Sequence, residues 1–550
     1  MKVIARREAQ MHRRQAKRLA VAVAVFLISL VGTTYVSQQV FEGIPHLEDE
    51  VSFLFQAKTL ASGRLYVATP EHLEFFNLPF LIDRDGRWFG KYPPGHPAVL
   101  AIGAFFGHPW LVNPLASSLA LVFIYLIGIR LYGEGTAIIA AALGIVSPFF
   151  LLQSGTLLSH PTTLLFITLF LYLFLRSNDE RSGCLAVLAG ACLGMGFLAR
   201  QLTAVGVAIP FVTYALWQLA RAPRQHFARY ALLIAGFAPF LAALLIYNAL
   251  LTGSPFTSPY ELYWPFDKMG FGEGVGAGGY HTLAGGLINT RMNLESLSSH
   301  LLGWPLRLDL VFVVLASLVL AFNLGRCALQ AVKGITGQAH DSLRRSCLWD
   351  ALLLTSFSSL VAVHVLYWTS GGMYGPRYYF EAMPALLLLS ARGVAHLAMA
   401  ADLNWASRRE QGLFTVISSR PLVLLARLGP AGLIKLAIGV AVAALVISSL
   451  TSYLPRQFAT YKGWYGITGD APRLASQLRC GRAIVFVPPG SSWTDHAPLI
   501  GLNSPALDTE VIFALDLGQE RNQVLIERYP DRQVLYWRDI AANAILAPAR

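Results

Sequence analysis

Three consecutive acids are the residues of this 550-residue chain whose type and spacing point most directly to chemistry. Glu48, Asp49 and Glu50 stand in "HLEDEVSFLFQAKTLASGRLY" (46–66), just after a long apolar run. A carboxylate can take the proton of an attacking hydroxyl group or orient that group. The apolar spacing that follows also predicts an amphipathic surface helix starting near Asp49, and acids favour a helix N-terminus. Helix capping accounts for one or two acids, so the third indicates a further role.

Cations and polar aromatic residues that could complement these acids occur in distant segments. Arg200 interrupts an apolar stretch, and Arg377 and Glu381 belong to "YGPRYYFEAMP" (374–384). Further polar residues near the ends of apolar runs are Lys91, Tyr92, His96, His160, Tyr247, Asn248, Tyr378 and Tyr379. Structural roles are open alternatives: an arginine near a helix end can anchor it at a membrane surface, and tyrosines are common there.

The composition is that of a polytopic membrane protein. Hydrophobic residues make up 55% of the chain and charged residues only 13%, where soluble proteins carry about 25%. Mean hydropathy is +0.51. We read the net charge of +12 as a report on membrane topology, because loops on the cytoplasmic side are rich in Lys and Arg. No nucleic-acid binding is predicted from it.

Eleven apolar segments are candidate transmembrane helices, since a helix needs about 20 residues to cross the apolar layer. They are 19–41, 110–130, 136–152, 157–175, 185–199, 202–219, 230–250, 308–325, 349–369, 383–399 and 432–450. The segment 98–108 is too short to cross and is predicted to be re-entrant or interfacial. The first 18 residues carry seven Lys and Arg, which predicts a cytoplasmic N-terminus.

The stretch 185–219 is predicted to be a hairpin. Arg176 and Arg181 precede it, and Arg221 and Arg224 follow it. If both basic flanks are cytoplasmic, the chain crosses twice between them, and Arg200 lies at the outer turn. Later basic clusters that the same rule places inside are Arg326, Lys333, Arg344 and Arg345, and then Arg408, Arg409, Arg420 and Arg427.

This topology divides the chain into a basic cytoplasmic N-terminus (1–18), a transmembrane module (19–450) and an extracytoplasmic domain (451–550). Outer loops are predicted at 42–109 and 251–307. In the last domain "RAIVFVPPG", "EVIFALDLG" and "RQVLYWR" predict strands, and "RNQVLIERY" predicts a helix. The predicted fold class is therefore an all-α polytopic membrane protein with a small C-terminal α/β domain. It contains no nucleotide-binding motif.

All the candidate residues fall on the outer side, which suits sugar transfer from a lipid phosphate. Arginine suits the phosphate, because its fork of donors matches phosphate oxygens. A carboxylate suits the acceptor hydroxyl, and the departing phosphate needs positive charge. We expect Arg377 and Arg200 to hold the donor phosphate, with Asp49 as the base and Glu50 orienting loop or acceptor groups.

The chain resembles the membrane glycosyltransferases of the GT-C fold, in particular the group of protein O-mannosyltransferases and aminoarabinose transferases with its uncharacterised bacterial members. The stretches that carry the resemblance are "EDEVSFLFQAKTLASGRL", "GRWFGKYPPGHP", "FLARQLTA", "YNALLTGSPFTSPY" and "GPRYYFEAMPALLLLSARG". The family's catalytic Asp matches Asp49, with Glu50 beside it. The resemblance implies a polyprenyl-phosphate sugar donor and an extracytoplasmic acceptor.

The predicted site then has three parts. Asp49 and Glu50 are the catalytic carboxylates. Lys91 joins Arg200 and Arg377 at the donor phosphate. The predicted substrate-binding residues are Tyr92, His96, His160, Asn248 and Tyr378. No cofactor is assigned, with a divalent cation near Asp49 as an alternative, since three carboxylates could hold one.

A transporter or flippase of a lipid-linked saccharide is the alternative function. A transporter should carry polar residues near the middle of the bilayer, whereas the middles of these spans are apolar and the charges collect on one face. The expected partners are the donor, membrane lipids and an acceptor that is a lipid, a glycan or a protein. The expected location is the cytoplasmic membrane, with the C-terminus outside.

Overall fold

A computed structural model describes residues 2–409 and 422–546. Its first ten helices are α1 (Lys2–Tyr35), α2 (Glu48–Ala61), α3 (Gly95–Phe105), α4 (Val112–Tyr132), α5 (Glu134–Ile145), α6 (Pro148–Gly155), α7 (His160–Glu180), α8 (Gly183–Ala199), α9 (Gln201–Arg221) and α10 (Pro223–Thr252). The others are α11 (Pro259–Tyr263), α12 (Leu283–His300), α13 (Val311–Val332), α14 (Gln338–His364), α15 (Met383–Arg409), α16 (Leu422–Ser448), α17 (Leu454–Tyr461), α18 (Asp470–Ser476), α19 (Trp493–Ile500), α20 (Gln519–Arg528) and α21 (Trp537–Leu546).

Three small sheets complete the fold of the described residues. In the first outer loop β1 (Val67–Ala68), β2 (Leu81–Arg84) and β3 (Arg87–Gly90) form an antiparallel sheet in the order β1-β3-β2. In the second outer loop β4 (Gly272–Glu273) pairs with β5 (Tyr280–His281). Near the C-terminus β6 (Ala483–Val487), β7 (Val511–Leu515) and β8 (Gln533–Tyr536) form a parallel sheet in the order β7-β6-β8. All three predicted C-terminal strands and the helix between the last two are present, which confirms the α/β domain.

The helices also confirm a multi-pass membrane protein. Within the described residues nine helices are long and apolar enough to cross a membrane, or ten if the bent pair α5 and α6 is one span. The two members of that pair meet at 58°, because Pro148 begins a new helix that the Ser147 side chain caps. The predicted number of eleven additionally requires α8, an apolar helix of only 17 residues. The short segment 98–108 overlaps α3 (Gly95–Phe105), whose 11 residues are too few to cross a membrane.

Helices α8 and α10 run parallel, which is what a hairpin at 185–219 requires. Close approaches at glycines give the direction: Gly190 packs on the backbone of Leu233, and Gly194 packs on Phe240. Rising residue numbers on α8 therefore meet rising numbers on α10, so α9 must bring the chain back between them. The helix breaks at Arg200, whose backbone is extended (φ −149°, ψ 93°).

Charged residues predicted to lie on one side gather at one end of the helix bundle. Arg18 pairs with Glu134 at 2.8 Å, and both Arg130 and Arg345 contact Asp179 at 2.8 Å. The residues predicted to lie on the other side meet at the opposite end. The side chains of Arg408, Arg409 and Arg427 and all of Arg420 lie outside the described residues.

Candidate active site at one end of the helix bundle

The three acids lie in the first turn of α2, and their side chains diverge. Glu48 accepts a hydrogen bond from the indole of Trp493 in the C-terminal domain (3.0 Å). Asp49 points toward Tyr92 and Arg377. Glu50 turns inward, where only 2% of its surface is exposed. Among the described residues no group of three or more His, Cys, Asp or Glu side chains could hold a metal ion.

The Glu50 side chain joins two backbone segments through hydrogen bonds. Its carboxylate accepts hydrogen bonds from the backbone N–H groups of His46 (2.7 Å), Leu47 (3.1 Å) and Leu157 (2.8 Å). The first two lie just before α2, and the third precedes α7. This position places Glu50 on loop backbone, which is one of its two predicted roles, and makes Glu50 the acid that caps the start of α2.

Burial raises the pKa of Glu50 to about 7, against the opposing effect of these three N–H groups.

Asp49 joins two distant segments of the chain. Its Oδ1 atom accepts a hydrogen bond from the Tyr92 hydroxyl (2.5 Å), and its Oδ2 atom lies 3.4 Å from Nη1 of Arg377. Burial alone would raise the pKa of this carboxyl. Arg377, the Tyr92 hydroxyl and Lys91 outweigh burial and hold the pKa below its ordinary value of 3.8. Asp49 is therefore ionised at neutral pH.

Tyr92 is fixed on three sides, so it fixes Asp49 in turn. Its ring packs on Phe53, one turn after Asp49 on α2, with the centroids 4.2 Å apart. Gln56 donates to the Tyr92 carbonyl (2.8 Å). Tyr260, from the second outer loop, meets the ring edge-on at 5.2 Å.

Arg377 and Arg200 flank one aromatic ring. Their guanidinium carbons lie 5.5 and 5.6 Å from the centroid of Tyr378. Arg377 begins the 3₁₀ helix Arg377–Ala382 that leads into α15, and Arg200 is the break between α8 and α9. Both side chains keep some exposure, at 13% and 20%. The Nε atom of Arg377 is buried and has no hydrogen-bond partner among the described residues.

A buried acid supports the second arginine. Oε1 of Glu381 lies 3.1 Å from Nδ1 of His160 and 3.6 Å from Nε of Arg200. Arg200 also donates to the Ser159 hydroxyl (3.0 Å). His160 and Glu381 are almost fully buried, so the structure places His160 behind Arg200, where it does not line an open substrate site.

Lys91 lies in an aromatic cage. Its ammonium is 3.7 Å from the ring centroid of Phe80 and 4.1 Å from that of Trp264, and it pairs with Asp267 at 3.5 Å. Asp267 also accepts hydrogen bonds from Tyr367 (2.7 Å) and Trp368 (3.1 Å). Lys91 therefore ties the second outer loop to the site, and it is too buried to meet a phosphate directly.

Two predicted substrate-binding residues, His96 and Asn248, make hydrogen bonds within the protein. Both ring nitrogens of the buried His96 are occupied, one by the Thr162 hydroxyl and the other by the Leu157 carbonyl (2.9 Å each). Asn248 donates to the Pro255 carbonyl (3.2 Å) at the start of the second outer loop. The structure joins Asp49, Tyr92, Arg200, Arg377 and Tyr378 in one group of contacts and leaves His96 and Asn248 in structural positions.

Glu381 and Asp267 belong to this network, although the sequence analysis named Glu381 without giving it a role and did not name Asp267. Glu381 is four residues beyond Arg377 in the same outer segment, and that proximity was an available signal. Asp267 stands alone in an aromatic loop, and nothing in its spacing connects it to Lys91.

Matches to protein families fall on both parts of the chain. Residues 99–246 match the family described as dolichyl-phosphate-mannose-protein mannosyltransferase, a segment that runs from α3 into α10 and includes His160 and Arg200. Residues 483–539, in the C-terminal domain, match a domain of unknown function, DUF7846. No match was found among curated protein sequences. The first match confirms the resemblance to membrane glycosyltransferases that the sequence motifs indicated.

Two solved structures can be aligned with most of the chain. ArnT from Cupriavidus metallidurans bound to undecaprenyl phosphate is 15% identical, with 95% of this chain and 90% of that chain covered and a TM-score of 0.46. The archaeal oligosaccharyltransferase AglB from Archaeoglobus fulgidus, in complex with an inhibitory peptide and a dolichol-phosphate, is 14% identical. There the coverage is 91% of this chain and 64% of that chain, and the TM-score is again 0.46.

Proposed function

We propose that the chain is a glycosyltransferase that moves a sugar from a polyprenyl-phosphate donor to a hydroxyl acceptor at the outer face of the cytoplasmic membrane. One observation carries the proposal: Asp49 and Arg377 form a partly exposed pair at one end of the helix bundle, and Arg377 keeps an unpaired Nε. A carboxylate beside a spare guanidinium donor suits an acceptor hydroxyl next to a phosphate. The family match in the membrane module supports a prenyl-phosphate donor.

The two arginines bind the donor phosphate in this proposal. The phosphate of a membrane lipid stays at the bilayer surface, and Arg377 and Arg200 each stand at the start of an apolar span. Both guanidinium groups lie near the Tyr378 ring, with their carbons 5.6 and 5.5 Å from its centroid. Glu381 and Ser159 orient Arg200, and Asp49 orients Arg377 until the donor arrives.

Asp49 acts as the general base. Tyr92 occupies its Oδ1 atom, so Oδ2 receives the proton of the acceptor hydroxyl. The acceptor oxygen bonds to the anomeric carbon while the bond from that carbon to the phosphate oxygen breaks. The electron pair of the broken bond stays on the phosphate, where the arginines stabilise it. The products are the glycosylated acceptor and the polyprenyl phosphate.

Donor binding would also strengthen the base. When Arg377 turns to the phosphate, Asp49 loses its nearest cation and gains a nearby anion. Both changes raise the pKa of Asp49 and make its carboxylate a better proton acceptor. In the free protein the low pKa of Asp49 makes its carboxylate a weak base. Donor binding raises that pKa and makes the carboxylate a stronger base.

Envelope analysis of a deletion strain tests the proposal. Glycans and lipids are compared by mass spectrometry between the deletion strain and strains complemented with the parent, Asp49→Asn or Asp85→Asn. Asp85 is a matched control, because it is exposed in the turn between β2 and β3 of the same outer loop. We expect one sugar-bearing species to return with the parent and with Asp85→Asn only. Full return with Asp49→Asn would contradict the proposal and favour a flippase.

A further inference from the structure

A cavity of about 320 Å³ lies on the side of α2 that faces away from Asp49. Val51, Leu54 and Phe55 of α2 form one wall, and the segment 497–507 of the C-terminal domain forms the opposite wall. These α2 residues are close to half a helical turn away from Asp49, since each residue advances about 100°. The cavity is therefore distinct from the candidate active site. Its volume is within the range of roughly 300–1,000 Å³ found for small-molecule sites.

The polar side chains of the cavity, apart from tryptophan indoles, are already satisfied. The Lys58 ammonium donates to the carbonyls of Gly501 (2.7 Å), Leu502 (3.3 Å) and Asn503 (3.1 Å) at the end of α19. The Asn503 amide exchanges two hydrogen bonds with the backbone of Phe513. The Ser504 hydroxyl accepts from the Ala506 N–H (3.2 Å). An occupant finds apolar walls and no free charge, which suits a hydrocarbon.

The cavity opens where the membrane boundary must be. Ala104, Gly107 and Trp110 line it, and the apolar span Pro109–Tyr132 begins between them. Phe105 and Phe106, which lie between Ala104 and Gly107 in the sequence, are 71% and 70% exposed. Two exposed phenylalanines at the end of a span belong in the lipid layer, since water disfavours so large an apolar surface. A chain from the bilayer can therefore reach the cavity along apolar surface.

We propose that the cavity binds one acyl chain of a membrane phospholipid and so holds the C-terminal domain against α2. The polyprenyl chain of a sugar donor is a poorer candidate, because Arg377 and Arg200 would hold its phosphate on the other side of α2. The proposal does not depend on the transfer reaction. It requires only the apolar lining and its opening toward the bilayer.

Photolabelling of the full chain tests the proposal. The protein is reconstituted into nanodiscs that contain a phosphatidylcholine with a diazirine near the end of one acyl chain. After irradiation, labelled peptides are identified by mass spectrometry. We expect label on residues 497–507 as well as on Phe105 and Phe106, which serve as the internal positive control for lipid contact. Label on Phe105 and Phe106 without label on 497–507 would overturn the proposal.

Two substitutions sharpen the experiment. Leu54→Trp fills the cavity from the α2 wall, and Leu318→Trp is the matched control, since Leu318 is 64% exposed on the span formed by α13. Thermal unfolding in detergent verifies that both variants are folded. We expect Leu54→Trp to lose the label on 497–507 and to keep it on Phe105, with Leu318→Trp unchanged. Equal labelling of 497–507 in all three proteins would overturn the proposal.

Labelling 497–507 with a diazirine polyprenyl phosphate but not with the phospholipid would also overturn it. In that case the cavity would belong to the donor chain.

Discussion

Nη1 of Arg377 lies 3.4 Å from Oδ2 of Asp49, although 328 residues separate them in the chain. The contact uses Nη1, and the buried Nε atom of the same guanidinium has no hydrogen-bond partner among the described residues. A buried donor without an acceptor is costly, so the arrangement suits a ligand that supplies one. In the proposed function the donor phosphate is that ligand.

Arg377→Ala should weaken donor binding about ten- to a hundredfold, because it removes a charge-assisted contact worth about 1.5–3 kcal/mol. Arg377→Lys should restore little, since a lysine cannot make a two-pronged contact. The measurement is binding of a radiolabelled polyprenyl-phosphate sugar in detergent.

Arg291→Ala is the control for this experiment, as Arg291 is 81% exposed on α12 in the second outer loop. Parent-like donor affinity in Arg377→Ala would show that Arg377 is a structural anchor.

Glu50→Gln should destabilise the fold without removing the proposed base. The amide of a glutamine cannot accept with its nitrogen, so at least one backbone N–H of the three would lose its partner, at about 1–3 kcal/mol. Glu48→Gln should be milder, because its partner Trp493 is at the edge of another domain. Thermal unfolding in detergent measures both. An unchanged Tm for Glu50→Gln would refute the structural role.

The Glu50 effect should also depend on pH. Its folded pKa of about 7 is above the ordinary 4.5, so its contribution to stability is fully present below pH 4.5 and is lost as pH rises through 7. The difference in Tm between the parent and Glu50→Gln should therefore shrink between pH 4.5 and 8. A constant difference would contradict the raised pKa.

The contrast between Asp49 and Glu50 shows what the sequence could not predict. Adjacent acids at the start of a helix look alike in a sequence. Their roles differ because the Leu157 N–H, 107 residues away, meets Glu50, whereas Tyr92 and Arg377 meet Asp49. Only the packing of α2 against the segment before α7 decides which acid is buried.

The distribution of charged and apolar residues predicted more of the overall fold than of the individual side-chain contacts. The rule that basic flanks share one side led to the hairpin at Arg200 and to a single end for Asp49, Arg200 and Arg377. Short apolar runs predicted the three C-terminal strands. The cage around Lys91 and the bonds of His96 could not be predicted, because both depend on which outer loop folds over which helix.

Tyr92→Phe should shift the acid limb of the pH profile of kcat/KM to higher pH. The Tyr92 hydroxyl stabilises ionised Asp49, so its loss raises the pKa of that carboxyl, and activity falls sooner as pH drops. A hydrogen bond to a charged group, worth about 1.5–3 kcal/mol, corresponds to about one to two pH units. If the acid limb does not move, the ionisation of Asp49 does not control kcat/KM.

Topology reporters should divide the chain between the two ends of the bundle. We expect reporters at Gly86 and Gly278 outside the membrane and reporters at Asp179 and His340 inside. The reason is that the basic residues Arg130 and Arg345 gather around Asp179, at the end opposite to Asp49. Accessibility to a membrane-impermeant thiol reagent at introduced cysteines measures this. A reporter at Gly278 on the inside would refute the placement of the site.

The most direct test of the account is the transfer rate of Asp49→Asn, with donor affinity measured on the same preparation. The account predicts that transfer from a radiolabelled polyprenyl-phosphate sugar falls by about 10²–10⁴-fold, because the base is lost. Donor affinity should stay at the parent value or rise, because Asp49 no longer competes with the phosphate for Arg377. Turnover near the parent rate in Asp49→Asn would contradict the account.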